Sequence, residues 1–135
     1  MRVATLGTIV LVLASSAAHA AGPYDGSKPM KCAIETVFVC HDAMTCIRGT
    51  AATISFPPVV TVDVEKRVIS GAATGRTARI TSVGHGNGRM MLHGEEVQTL
   101  GNAWNLVVTE ASGAMTAAVL SRVGASLLFG TCSAP

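Results

Sequence analysis

The feature of the sequence that most constrains its fold is a period-two alternation of apolar residues between turns rich in glycine. Every second position is apolar in residues 104–108 and again in residues 115–119, which follow an expected turn at 110–113. Alternation of this kind places the apolar side chains on one face of a strand, and little 3.6-residue periodicity competes with it. The chain is therefore expected to fold as strands with almost no helix.

About seven or eight short strands are expected, which is typical of a small antiparallel barrel or a β-sandwich. We predict an all-β fold, either an up-and-down barrel or a sandwich, stabilised by disulfide bonds. In the first strand, Ile34, Thr36 and Phe38 occupy alternate positions and are predicted to share a face. Beyond the two strands above, the predicted strands cover residues 33–40, 50–56, 59–64, 67–70, the arms of a hairpin at 76–94, and a last strand with Leu127 and Phe129.

The hairpin in residues 76–94 is the most clearly defined one, because three glycines in its loop at 84–88 allow positive φ. Centring the strand pairing on Gly86 places Arg79 opposite His93. A slip of one residue would exchange the two faces of the hairpin, so this register is a prediction that the structure must test.

A basic surface is predicted on the exposed face of this hairpin, formed by Arg79, Arg89 and His93. No acidic residue occurs between Glu65 and Glu95. Such a surface can attract an anionic partner such as an acidic protein or an envelope polymer.

The alternative interpretation of this surface is a solvated face whose charges are balanced nearby, since exposed charges contribute little on average. Glu95 and Glu96 follow the hairpin directly, and the predicted register brings Arg76 to Glu96.

The N-terminus has the pattern of a secretory signal peptide. Arg2 supplies a positive charge, residues 3–14 form an apolar run, and Ala18-His19-Ala20 provides small residues at a cleavage site. The run is shorter than the ~20 residues that cross a bilayer, so no transmembrane segment is expected in the mature chain. We predict a signal peptide at 1–20, a flexible leader at 21–31, a single β domain at 32–135, and a periplasmic or secreted location.

Four cysteines in an exported chain indicate two disulfides, for which three connectivities are possible. A strand between Cys32 and Cys40 would hold their ends about 26 Å apart, too far for a disulfide without a bend. Cys40 and Cys46 flank a short polar stretch that they can close. We therefore favour Cys40–Cys46 together with Cys32–Cys132, which would join the first and last strands.

Candidate metal ligands are few, and no cofactor is expected. His85, Met91 and His93 have the imidazole and thioether groups that suit copper, but they form no H-x-H or M-x-x-M cluster. Copper or haem handling through these His and Met residues is kept as an alternative.

No catalytic constellation is found, and the protein is expected not to be an enzyme. The motifs G-x-S-x-G and H-E-x-x-H are missing from the sequence, and Cys40 beside His41 is expected to be oxidised. The net charge is only +2 and aromatic residues make up 4%, so nucleic-acid binding is not expected.

The expected architecture resembles that of small periplasmic β-barrels, including bacterial inhibitors of lysozyme and of secreted proteases. Only the fold is implied, because no motif of those inhibitors is found here and no site residue is carried over. The leading functional hypothesis is an exported, inhibitor-like or adaptor-like protein that binds another macromolecule at the cell envelope. The alternative is a small-ligand carrier with Trp104 inside a barrel.

Overall fold

A computed structural model describes residues 22–97 and 101–134, and this part of the chain is an antiparallel β-barrel. Eight strands close into the barrel, and one further short strand lies beside it. The all-β prediction is confirmed, in the form of a barrel. The expected signal peptide at 1–20 lies outside the described residues. The strands are β1 (Met30–Cys40), β2 (Cys46–Gly49), β3 (Val59–Asp63), β4 (Val68–Gly71), β5 (Thr77–Gly86), β6 (Arg89–Glu96), β7 (Ala103–Thr109), β8 (Ala114–Ser121) and β9 (Gly124–Ser133).

The first strand closes the barrel because it pairs on both of its edges. One edge pairs with β9 from Lys31 to Cys40. On the other edge, the first part of β1 pairs with β3 and the last part pairs with β2. Met30 and Lys31, which the sequence assigned to the leader, are the first residues of this strand.

A β-bulge in β1 overturns the predicted face of this strand. The pairing with β9 shifts between Ile34 and Thr36, so the extra residue between them reverses the alternation. Ile34 therefore packs with the core, whereas Thr36 and Phe38 pair with residues on the outer face of β9. Val37 is fully buried in their place.

The predicted register of the β5–β6 hairpin is also wrong. The turn consists of Asn87 and Gly88, which both have positive φ, and Gly86 pairs directly with Arg89. Two positive φ values are typical of a type I′ turn, the two-residue turn that best matches the twist of a hairpin. A bulge between Ile80 and Ser82 shifts the pairing again further along the hairpin. As a result Arg79 pairs with Glu95, and His93 pairs with Ser82.

The segment predicted as a strand at 50–56 contains a short 3-10 helix, Ala51–Ile54. Thr53 Oγ1 accepts a hydrogen bond from the backbone N–H of Thr50 at 3.0 Å, a local bond that competes with strand pairing. Ser55 ends the turn with φ of 52°. Strand β2 precedes this helix and was not predicted.

The core lies inside the barrel, where alternate residues of the strands meet. Strands β7 and β8 pair as predicted, with Trp104, Leu106 and Val108 buried opposite the inward residues of β8. Both favoured disulfides, Cys32–Cys132 and Cys40–Cys46, are confirmed. Across residues 22–97 and 101–134, no helical segment has the length and apolar character needed to cross a bilayer.

Candidate functional site

One end of the barrel is covered by the segment at residues 22–29, and we call it the covered end. Tyr24 donates its backbone N–H to the carbonyl oxygen of Glu110 at 3.1 Å, which ties the segment to the β7–β8 turn. Gly26 is buried, and any side chain there would meet Val64 and Met90. The chain before β1 therefore lies across the strand ends instead of extending away from them.

An imidazole–carboxylate pair lies at the same end. His85 Nδ1 is 2.8 Å from Glu110 Oε1, and the Glu110 carboxylate is largely buried. His85 pairs with the buried Met90, so it belongs to the face that turns inward, at the rim.

The opposite end of the barrel, the open end, leads to an apolar cavity of about 70 Å³. The inward-facing aliphatic residues of the strands form most of the cavity wall. Phe56, which follows the 3-10 helix, completes this wall. Representative lining residues are Ile34, Phe56, Val60, Ile69, Trp104 and Leu128.

A wider cleft of about 540 Å³ adjoins this cavity at the open end. The cavity and the cleft share Phe56, Arg76, Asn102 and Val119, so these residues stand at the boundary between them. The remaining wall of the cleft comes from the 3-10 helix, the β8–β9 turn, and residues of β1, of β2 and of the segment between them.

The boundary is organised by an ion pair between Arg76 and Glu96. Arg76 Nε donates to Glu96 Oε1 at 2.9 Å, and its Nη2 also contacts this oxygen. Asn102 Nδ2 donates to the second carboxylate oxygen at 2.8 Å. Arg76 also donates to the carbonyl oxygen of Ser55 at 2.6 Å, and its guanidinium lies 5.6 Å from the ring centre of Phe56. These bonds fix Arg76 and largely neutralise it.

Trp104 lies beneath this boundary and lines the cavity. The residue is 8% exposed, and its Nε1 is buried without a hydrogen-bond partner among residues 22–97 and 101–134. Its cross-strand neighbour is Gly94, whose missing side chain leaves room for the indole ring. An indole N–H is a donor only, and it usually finds an acceptor when it is buried.

The predicted basic surface lies on the outside of the barrel. Arg79, Arg89 and His93 are all exposed on the outer face of β5 and β6. Arg79 lies directly across from Glu95, and His93 Nδ1 contacts Asn105 Oδ1. Glu95 and Arg89 are six residues apart on β6, about 20 Å along the strand. The three basic residues therefore form a spread row instead of a compact cluster.

The candidate metal ligands are divided between two faces. Met91 and His93 lie on the outer face of β6, whereas His85 shares a face with Met90 at the covered end. His85 is not brought together with Met91 and His93. The described residues contain no group of three or more His, Cys, Asp or Glu side chains placed to hold a metal ion.

The open-end site was only partly visible in the sequence. The Arg76–Glu96 pair was predicted, although from a register that is wrong for the hairpin as a whole. The roles of Phe56 and Asn102 were missed because both approach the cavity from loops. Gly94 carried a usable signal, since a glycine inside a strand often marks a close approach by another group.

Comparison of the chain with protein-family models, with curated proteins and with solved structures finds no match. The description of the site therefore depends on the residues of this chain alone. The walls of the cavity are aliphatic and aromatic. At its boundary, the polar side chains of Arg76, Glu96 and Asn102 are hydrogen-bonded to one another. Such an arrangement suits the binding of an apolar molecule.

Proposed function

We propose that the protein is a non-enzymatic binding protein for a small apolar molecule, which it takes up through the open end of the barrel. The observation that carries this proposal is the apolar cavity, which adjoins a cleft at one end while residues 22–29 cover the other. Pockets of this kind, mostly apolar with a few placed polar groups, are typical of small-molecule sites.

The size of the cavity limits the part of a ligand that it can enclose. An engineered apolar cavity of about 150 Å³ in another protein stays dry and binds benzene or xenon. The cavity here measures about 70 Å³, so it encloses a smaller group, and a larger ligand extends into the cleft.

We further propose that this binding occurs in the periplasm or outside the cell. Two disulfides support an oxidising compartment, because cysteines in reducing compartments are rarely paired. The signal-peptide pattern of residues 1–20 points the same way.

A matched pair of substitutions on β8 tests the proposed site. Ala117 lines the cavity, and its neighbour Ala118 pairs with Asn105 and Leu127 on the outer face. Ala117→Leu is expected to fill the cavity and abolish binding, whereas Ala118→Leu is expected to leave binding unchanged. The same residue is introduced at both positions, so a difference between them reports the cavity itself.

The measurement is a titration with a panel of small apolar compounds, followed by the fluorescence of Trp104, the single tryptophan of the chain. Fluorescence changes in the wild type and in Ala118→Leu, but not in Ala117→Leu, support the proposal. A panel that leaves the wild-type fluorescence unchanged, together with no small molecule extractable from protein purified from its native source, overturns it.

Binding of a macromolecule is a second proposal, in which an anionic protein or envelope polymer contacts Arg79, Arg89 and His93. The exposure of all three residues on one outer face favours it. Reversal of charge at Arg89, the member beside the hairpin turn, is expected to reduce recovery of the partner from an envelope extract. Equal recovery with the variant argues against this surface.

A further inference from the structure

Strand β5 extends past the end of its neighbour β4, so part of one of its edges is unpaired. β4 pairs with residues 77–79 of β5, and one further bond joins the backbone N–H of Ile80 to the carbonyl oxygen of Arg67 at 3.0 Å. Beyond this point, no strand within residues 22–97 and 101–134 pairs with β5 on the side away from β6. We call residues 82–86 on this side the β5 edge. A free edge of this kind is a template for a strand from another chain.

The β5 edge lacks the features that usually protect a free edge, which are charged side chains, proline, bulges or a very short strand. Residues 80–88 include no Asp, Glu, Lys, Arg or Pro. The bulge between Ile80 and Ser82 lies before the β5 edge, and residues 82–86 pair regularly with β6. By comparison, β2 pairs only with β1 but is four residues long and carries a charged residue, Arg48. The β5 edge is therefore less protected than that of β2.

The outer face of the β5 edge is almost bare of side chains. Val83 packs against the core, so Ser82, Gly84 and Gly86 occupy the outward positions. A Cβ at Gly84 would lie 3.7 Å from the methyl group of Met91, and a Cβ at Gly86 would have no neighbour within 4 Å. A strand that pairs with this edge can therefore place large side chains over the two glycines.

Two side chains of β6 lie on the far side of these glycines. Met91 pairs with Gly84 and is 36% exposed, and Arg89 pairs with Gly86. An added strand lies about 4.8 Å from β5 and hence about 10 Å from β6. Because glycine leaves the space between them open, a large apolar side chain opposite Gly84 can contact Met91. An acidic side chain opposite Gly86 can likewise reach the guanidinium of Arg89. Aromatic side chains that cover a glycine at a sheet edge are known to stabilise sheets.

The charge on this outer face is positive. Arg89 has no ion pair in the part of the chain that the structure describes. On the outer face of residues 82–86 and 89–93, the other titratable side chain is His93, which pairs with Ser82. The Glu110 carboxylate lies on the inward side, bonded to His85. Charge complementarity therefore favours an acidic partner.

A second copy of the chain does not supply the groups that fit this edge. Its own β5 edge has Ser82, Gly84 and Gly86 at the outward positions, which include neither an acidic nor a large apolar side chain. Two copies joined edge to edge would also place two Arg89 side chains on one face of the joint sheet. The groups that fit must come from a different protein.

We infer that the β5 edge binds an extended, acidic segment of another protein, which adds a strand to the sheet. The backbone of this segment pairs with β5. A large apolar side chain covers Gly84 and contacts Met91, and an acidic side chain two positions away pairs with Arg89. The inference goes beyond the small-molecule site and does not depend on it. It also differs from contact with the whole basic row, because at Arg79 the edge of β5 is already paired with β4.

The probe is a capped heptapeptide, Thr-Glu-Val-Phe-Val-Glu-Thr, in which phenylalanine and both glutamates share one face of an extended strand. Its sequence reads the same in both directions, so it fits the edge in a parallel or an antiparallel arrangement. The control peptide has lysine in place of both glutamates. Each peptide is titrated into nitrogen-15-labelled protein with both disulfides formed, and NMR records the amide shifts and the amide hydrogen exchange.

The expected result is a change in the amide signals of residues 82–86 with the glutamate peptide and little change with the lysine peptide. When about nine-tenths of the protein is bound, exchange of the edge amides slows by about tenfold, because only the unbound fraction exchanges freely. The amides of β7 are the internal reference and keep their exchange rates.

A matched pair of charge reversals tests the acidic contact. Arg89→Glu is expected to raise the Kd of the glutamate peptide by about tenfold. Arg79→Glu makes the same change in net charge on the same outer face and is expected to leave this Kd nearly unchanged. Both side chains are exposed, so neither reversal disturbs the core. Equal effects of the two reversals would indicate attraction by the basic row as a whole and overturn the inference.

The remaining outcomes also decide the question. A glutamate peptide that leaves residues 82–86 unchanged at about 1 mM, or that shifts amides elsewhere, overturns the inference. Equal binding of the lysine peptide overturns the acidic character of the partner. Edge amides that are protected without peptide, and only at high protein concentration, would identify a second copy as the occupant and overturn the choice of partner. None of these outcomes changes the Trp104 fluorescence test, so the proposed function fails or stands separately.

Discussion

Cys32 and Cys132 lie directly opposite each other on β1 and β9 and are joined by a disulfide at the seam where the barrel closes. They are 100 residues apart in the sequence, and both are almost fully buried. The bond therefore joins the two ends of the barrel sequence inside the core. The second disulfide, Cys40–Cys46, spans 6 residues and holds β2 against β1.

The two disulfides are predicted to differ in their contribution to stability. Replacing Cys32 and Cys132 by Ala is expected to lower the free energy of unfolding by about 4 kcal/mol, because a long loop loses more entropy on closure. Replacing Cys40 and Cys46 by Ala is expected to lower it by about 2 kcal/mol. Urea denaturation of the two double variants measures the difference, and equal losses would contradict the loop-length argument.

The Asn87–Gly88 turn is predicted to fix the register of the β5–β6 hairpin. Gly88 has φ of 69°, a conformation that an alanine adopts with strain. Gly88→Ala is expected to destabilise the protein by about 1 kcal/mol. Gly86→Ala is the control, because Gly86 lies in the strand and has open space around it. Thermal unfolding of both variants tests the turn, and equal effects would count against it.

The packing of Trp104 against Gly94 is predicted to be intolerant of any side chain at Gly94. A Cβ there would overlap the indole ring and the carbonyl oxygen of Arg79. Gly94→Ala is expected to destabilise the protein by about 2–3 kcal/mol and to change the Trp104 emission spectrum. Gly84→Ala is the control on the partner strand, where the nearest atom would be 3.7 Å away. An unchanged emission spectrum in Gly94→Ala would show that the indole does not depend on this gap.

Glu96 and Glu95 are adjacent in the sequence, but they are predicted to contribute very differently to the free energy of unfolding. The Glu96 side chain is 9% exposed and is bonded to Arg76 and Asn102, whereas Glu95 is exposed opposite Arg79. Glu96→Ala leaves Arg76 without its partner and is expected to destabilise by about 2–3 kcal/mol. Glu95→Ala is expected to change stability by less than about 0.5 kcal/mol. Chemical denaturation distinguishes them, and similar losses would contradict the assignment of faces.

Asp63 is predicted to make the free energy of unfolding depend on pH in the acid range. The backbone N–H of Lys66 donates to Asp63 Oδ1 at 2.9 Å, and this bond, assisted by the Lys66 ammonium, lowers the pKa of Asp63 below 3.8. A carboxyl group whose pKa is lower in the folded state than in the unfolded state stabilises the fold at pH values above its unfolded-state pKa. This stabilisation is lost as the pH falls through its folded-state pKa.

The variant Asp63→Asn removes this titration. Its free energy of unfolding is expected to fall less steeply than that of the wild type as the pH decreases below 3.8. Denaturant unfolding measured from neutral pH down to about pH 2 gives the two slopes. Parallel curves would show that Asp63 is not the responsible group.

Local pattern was enough to predict the elements whose pairing is regular. The β7–β8 hairpin and the inward positions of β3 follow from alternation alone, because every second residue turns to the core. Both disulfides also followed from the geometry expected of a first strand and a short polar loop. The predictions failed at Glu35 and Thr81, where a single extra residue reverses the alternation. The position of a bulge depends on how the strands of the whole barrel pair, so it cannot be predicted from the residue pattern of one short segment.

The amino-acid sequence by itself determined that this chain forms strands and which residues alternate along those strands that pair regularly. These are local properties, set by side-chain period, β-branching and the spacing of glycine. The tertiary structure decided what lies at the two barrel ends: residues 22–29 cover one, and Phe56, Arg76, Glu96 and Asn102 surround the other. Those contacts join loops that are distant along the chain, so only the closure of β1 on β9 encloses the apolar cavity that Trp104 lines.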